Sequence, residues 1–127
     1  MEDDSTSELR RQVRQFLREF KMLIYGQEFI IKEHEKYITT LAKYGLTQRD
    51  CLDCICGLEV EDYYDGPKKD TQHSGMYWEF GKHVYGAEIY IKLKIAITKN
   101  DDSFAIVYSF HEAEHKLRFP LKTKTNN

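Results

Sequence analysis

Tyr77, Glu79, Tyr90, Lys92, Ser109 and His111 are the side chains in this chain whose types and spacing could do chemistry. Each alternates with apolar neighbours, so period-two geometry would turn all of them to one surface of a sheet. Phenol rings are platforms on which unpaired bases stack. Ammonium groups such as Lys92 and Lys94 can hold a phosphate and stabilise charge on a pentacoordinate phosphorus. An imidazole, with an ordinary pKa of about 6.5, can move a proton near neutral pH. RNA brings its own nucleophile, the 2′-hydroxyl. Its cleavage therefore needs only positioning, a base, an acid and electrostatic support. The same side chains would also suit RNA binding without cleavage. The plainer reading is a solvated sheet face, since an open antiparallel sheet normally turns polar residues to water. Two tyrosines and a histidine are unusual on such a face.

The elements that must position these residues follow from periodicity. Apolar residues at Leu9, Val13, Phe16, Leu17, Phe20 and Ile24 recur at helical spacing, and Ser5 with Glu8 matches a capping box. The opposite face carries Arg10, Arg11, Arg14, Arg18 and Lys21, expected to be solvated or to meet RNA or an acidic partner. Gly26 is expected to end this helix, and residues 28–31 to form a short strand. A second helix is expected over residues 33–44, with Tyr37, Ile38, Leu41 and Ala42 as its apolar stripe and Gly45 as its stop. Thr47 should cap a third helix over 48–56, giving a helical hairpin over 33–57. Residues 59–65 read as an irregular turn and Gly66 to Gly75 as a polar loop. Strands are expected at about 76–81, 87–98 and 104–110, forming an antiparallel sheet over 76–111. On the last strand, Phe104, Ile106, Tyr108 and Phe110 should share the apolar face. The expectation is one α+β domain over 1–127, with an N-terminal helix over 1–26, helices on one face of a small antiparallel sheet, and a polar tail over 121–127 whose last residues are mobile.

Composition narrows the classes. The chain has 127 residues, is 31% charged and has only two prolines, which excludes low complexity and favours one folded core. No apolar run reaches the roughly 20 residues of a membrane helix, and the acidic start has no apolar leader, so a cytoplasmic protein with no membrane association is expected. Residues 82–127 hold 8 basic and 5 acidic side chains against 9 and 13 in residues 1–62, so the last third leans basic. Cys51, Cys54 and Cys56 lack a second cysteine pair, and three cysteines do not make a disulfide framework. They read as small buried hydrophobes. The spacing of His111 and His115 follows a strand and lacks the glutamate of a zinc protease. No metal and no cofactor is therefore expected.

Five segments, in order and spacing, carry a family likeness. They are Gly45-Leu-Thr-Gln-Arg-Asp50, Glu61-Asp-Tyr-Tyr-Asp-Gly-Pro67, Tyr77-Trp-Glu-Phe-Gly-Lys82, Glu88-Ile-Tyr-Ile-Lys-Leu-Lys-Ile95 and Ser109-Phe-His-Glu-Ala-Glu-His115. From about Leu41 to Pro120 the chain resembles the MqsR family of type II toxin–antitoxin toxins. The resemblance implies a RelE-like ribonuclease fold and a metal-independent mRNA endoribonuclease, or mRNA interferase. It also implies growth arrest and neutralisation by a cognate antitoxin. In that family a lysine follows the Asp-aromatic-Tyr turn, an amide follows the tryptophan, a tyrosine lies in the middle strand and a cation follows Ser-Phe. Tyr90 and His111 match in position. Lys68 or Lys69 would be the loop lysine, and Glu79 stands in place of the amide. On this reading His111 is the acid and Glu79 or Lys68 the base. Tyr90 orients the phosphate or stacks a base, Lys92 stabilises charge, and Tyr77, Lys94 and Lys69 contact RNA. The partners implied are single-stranded mRNA and an antitoxin protein. A non-catalytic RNA-binding or protein-interaction module on the same fold is the alternative.

Overall fold

Helix α1 (Asp4–Tyr25) buries Val13, Phe16, Leu17, Phe20 and Ile24, the stripe its spacing predicts. In this computed structural model, which describes residues 4–122, the Phe16 ring stacks on Trp78 at 5.4 Å and lies 6.1 Å from Phe80. Asp4 is already helical, so Ser5 sits inside the first turn rather than at the expected cap. Nor is the basic face wholly solvated. Arg10 donates to the Leu121 carbonyl at 2.8 Å, and Lys21 donates to the Leu58 carbonyl. The left-handed residue after α1 is Gln27 (φ 62°), not Gly26.

Strand β1 (Phe29–Ile31) leads to helices α2 (Glu35–Tyr44) and α3 (Gln48–Cys56). Helix α2 buries Tyr37 and Thr40, whereas Ile38 and Ala42 are exposed, against the expected stripe. The reason is its docking partner. Helix α2 leans on the end of the last strand, where Tyr37 meets Phe110 edge-on and the Thr40 hydroxyl accepts the Glu112 amide at 2.9 Å. Gly45 ends α2 in the left-handed region (φ 64°), and Thr47 and Asp50 form a reciprocal capping box on α3, both as expected. Cys51 and Cys54 are buried and all three cysteines are free thiols; burial pushes the Cys54 thiol up to about 11.

The fold is α+β, with a five-stranded, mostly antiparallel sheet. Its remaining strands are β2 (Tyr63–Lys69), β3 (Met76–Val84), β4 (Ala87–Ile97) and β5 (Ser103–Glu112), in the order β1-β5-β4-β3-β2. Among the described residues only the β1–β5 pair is parallel. Strand β2 replaces part of the expected turn and loop, leaving only residues 70–75 as loop. It escapes the period-two signal because its register slips twice, between Tyr63 and Asp65 and between Asp65 and Lys68, and because it carries Pro67 on a sheet edge. Gly66 allows the close pass to β3: a Cβ there would lie 3.0 Å from the Tyr77 carbonyl oxygen and 3.1 Å from the Trp78 Cα. The β3–β4 hairpin turns through Tyr85 and Gly86, both left-handed, the two-residue geometry that matches strand twist.

Trp78, Phe80, Ile89, Ile91 and Leu93 face the helices, as their alternation predicts. The phase on β5 differs from expectation. Lys92 pairs with Ser109 and Leu93 with Val107, so Tyr108 is an extra residue on β5. This bulge inverts the alternation. Ala105 and Val107 join the core, while Phe104, Ile106 and Tyr108 turn to the other face; past the bulge, Phe110 keeps its expected core side and Ser109 and His111 the opposite one.

The segment after β5 folds back across that other face. The Ala113 amide donates to the Glu88 carbonyl, and the Leu117 amide to the Glu88 carboxylate at 2.7 Å. A Cβ on Gly81 would lie 2.5 Å from Leu117 Cδ1 and 3.0 Å from the Phe119 ring, so Gly81 is the seat on which this segment rests. Leu121, expected to open the polar tail, is instead a core residue at 2% exposure. Residues 123–127 of that tail lie outside the described residues. No helix among the described residues is long and apolar enough to cross a membrane.

Candidate active site

Directly opposed residues of neighbouring strands share a face, and the β4–β5 register opposes Tyr90 to His111. Their ring centroids are 5.3 Å apart on the side of the sheet away from the helices. They border a cleft of about 320 Å³ that also includes Glu79, Tyr64 of β2, Lys36 of α2, and Glu114, His115 and Leu117 of the returning segment. His111 Nδ1 lies 2.9 Å from the Glu112 carbonyl oxygen. A carbonyl only accepts, so Nδ1 carries the hydrogen and Nε2 is the nitrogen left for proton transfer.

Glu79, 6% exposed, is the buried polar centre of the site. Its Oε2 accepts from the Tyr90 hydroxyl at 2.5 Å, and its Oε1 lies 2.8 Å from the Lys68 ammonium. Lys68 also pairs with Asp65 at 2.9 Å. The register slips of β2 make this possible. Asp65 opposes Glu79 and Lys68 opposes Tyr77, so residues three apart reach the same face. Hydrogen bonds to Glu79 and then to Asp65 raise the Lys68 pKa, and Lys68 in turn lowers that of Asp65. The two carboxylates therefore favour the charged form of Lys68. Burial first, and the bond to Glu79 second, raise the Tyr90 phenol, which keeps its proton.

No family model, no curated protein and no solved structure matches this chain. What the site can do rests on its own geometry.

Of the residues expected from sequence, His111, Tyr90 and Glu79 line the cleft, and Lys68 is paired to Glu79 without lining it. Lys92, Tyr77 and Lys69 do not line it. They line a neighbouring hollow of about 430 Å³, in which the Lys92 ammonium sits 3.9 Å from the Tyr77 ring centroid. Lys94 is a correction. Expected to meet RNA, it is 3% exposed, with its ammonium donating to Asp70 at 2.8 Å and to the Ser74 carbonyl at 2.6 Å. It pins the 70–75 loop onto the sheet. Sequence reasoning missed Tyr64, Lys36, Glu114 and Tyr108. Tyr64 lies on the unrecognised strand and Tyr108 on the bulge, so no local period points to either. Among the described residues no group of three His, Cys, Asp or Glu is placed to hold a metal ion.

The Asp70–Lys94 pair makes loop docking depend on pH. Asp70 is held below the usual carboxylate range, first by the Lys94 hydrogen bond and then by the Gln72 and His73 amides it accepts. A depressed carboxyl contributes stability above its unfolded pKa of about 4 and loses it as pH falls toward the folded value. The melting temperature of Asp70→Asn should lie below wild type at pH 7, and the gap should close as pH falls below about 4. A gap constant with pH would show that the pair does not hold the loop.

Proposed function

We propose that this protein is a metal-independent endoribonuclease that cleaves single-stranded mRNA, a toxin of the MqsR kind held in check by an antitoxin protein. The observation that carries the reading is the Tyr90–His111 pairing, 5.3 Å between rings, at the mouth of an open cleft beside a lysine held between two carboxylates. The 2′-oxygen attacks phosphorus and its proton passes to solvent. The bond to the 5′-oxygen breaks, and that oxygen takes the proton from Nε2 of the His111 imidazolium. The products are a 2′,3′-cyclic phosphate and a 5′-hydroxyl. Lys68, already cationic, stabilises the charge that develops on phosphorus. Both expected bases thus have another task. Lys68 supplies charge, and Glu79 holds Lys68 and Tyr90 in place. Tyr90 lends its ring as a wall of the cleft, since its hydroxyl proton is committed to Glu79.

Purified protein incubated with a long single-stranded RNA in EDTA should yield fragments ending in 2′,3′-cyclic phosphate. Retarded but intact RNA would replace the enzyme with a non-catalytic binding module. Absence of both cleavage and retardation would remove RNA from the reading altogether.

A further inference from the structure

The geometry points to the hollow beside the His111 cleft as a nucleotide subsite, which takes the base and phosphate of the residue next to the scissile linkage in single-stranded RNA. The identity of the neighbouring cleft rests on the endoribonuclease reading; the recognition chemistry of the hollow does not.

The hollow is built from every strand of the sheet or from segments adjoining them. Tyr77 of β3 and Tyr108 of β5 flank Lys92 of β4, whose ammonium lies 3.9 Å and 5.5 Å from their ring centroids. Tyr108 reaches this position only because the β5 bulge turns it away from the core. Lys32 and His34, on the connection from β1 to α2, and Lys69 of β2 complete the rim. Glu33 and Glu35 flank His34 in the chain but do not line the hollow. The carboxylate that does line it, Asp70, is already neutralised by Lys94 at 2.8 Å. What remains is aromatic surface under an excess of ammonium groups. That combination selects a planar, anionic ligand.

Position ties the hollow to the cleft. Tyr90 and Lys92 are successive residues on the same face of β4, about 6.6 Å apart along the strand. A chain running across the sheet would occupy both at once. The floor is also prearranged. Lys94 clamps the 70–75 loop through two hydrogen bonds, so ligand binding need not order it.

Binding of a fluorescently labelled single-stranded RNA of about 12 nucleotides, with 2′-O-methyl riboses that block cleavage, should be followed by anisotropy between about 50 and 200 mM salt. The double variant Lys32→Ala/His34→Ala removes exposed side chains, and that of His34 makes no cap hydrogen bond. It should bind about tenfold more weakly, with the slope of log affinity against log salt smaller by about 0.7, one phosphate contact on a single strand. Tyr108→Leu should weaken binding by about fivefold or more with the slope unchanged, because stacking and not charge is lost. Wild-type affinity and slope in both folded variants would overturn the subsite. Equal competition by a poly-glutamate peptide would overturn its assignment to a nucleotide. If unmodified RNA stays intact while the variants lose affinity as stated, the subsite stands and the endoribonuclease reading falls.

Discussion

Replacing His111 with alanine is expected to slow RNA cleavage by about 10²- to 10⁴-fold, the usual contribution of a positioned acid, while the fold persists. The imidazole is half-buried at the cleft mouth, and its hydrogen bond is to the carbonyl of the next residue rather than to a distant element. Its removal therefore breaks no tertiary hydrogen bond that the structure gives it. What is lost is the proton donor at Nε2. His111→Lys keeps a donor at the same place and should retain more activity than His111→Ala. Initial cleavage rates on a defined RNA, compared at matched melting temperature, decide the matter. A wild-type rate in His111→Ala would dismiss the imidazole as the acid. Expression of the same variant in growing cells gives an independent reading, since growth arrest should disappear with cleavage.

Glu79 should show a larger effect on the whole protein and a more informative split between variants. Its two oxygens hold Tyr90 and Lys68, and it is nearly sealed from water. In Glu79→Ala the Tyr90 hydroxyl, on a half-buried ring, loses its acceptor. Lys68 falls back on Asp65 alone, a partly exposed pair that contributes little. Loss of the buried partner should cost about 2–4 kcal/mol of stability, and cleavage should drop by at least about 100-fold as Tyr90 and Lys68 lose the carboxylate that holds them. Glu79→Gln keeps the shape and can still accept from Tyr90. It should fold to within about 1 kcal/mol of wild type and keep activity to within about tenfold. Denaturant unfolding alongside kcat and KM would separate the two effects. If Glu79→Gln is as inactive as Glu79→Ala while folding normally, the carboxylate charge takes part in proton transfer and the positioning role is insufficient.

These expectations depend on two places where pairing departs from regularity. On β5 one extra residue, Tyr108, separates a stretch in which Ala105 and Val107 face the core from one in which Ser109 and His111 face the opposite side of the sheet, where His111 lines the cleft. On β2 two slips bring Asp65 and Lys68 to one face. Without the second irregularity Lys68 could not share a face with Asp65, and the cleft would lose the bridge between them.

The residue pattern alone determined much of the frame. The stripe of α1, the Gly45 stop, the Thr47–Asp50 box and the alternation along β3 and β4 are local properties. Each is fixed by neighbours within a few positions, so it is legible without a fold. The shared face of Tyr90 and His111 was legible from their buried neighbours Ile89, Ile91 and Phe110, although the same alternation misplaced Phe104, Ile106 and Tyr108 on the other side of the bulge. Tertiary structure alone decided that Lys94 is buried, that α2 turns Thr40 rather than Ile38 inward, that Leu121 belongs to the core, and that β2 exists. A bulge, an edge strand and a docked helix are set by what the chain pairs with, often tens of residues away. The free energy of that pairing overrides local period and propensity wherever the two disagree.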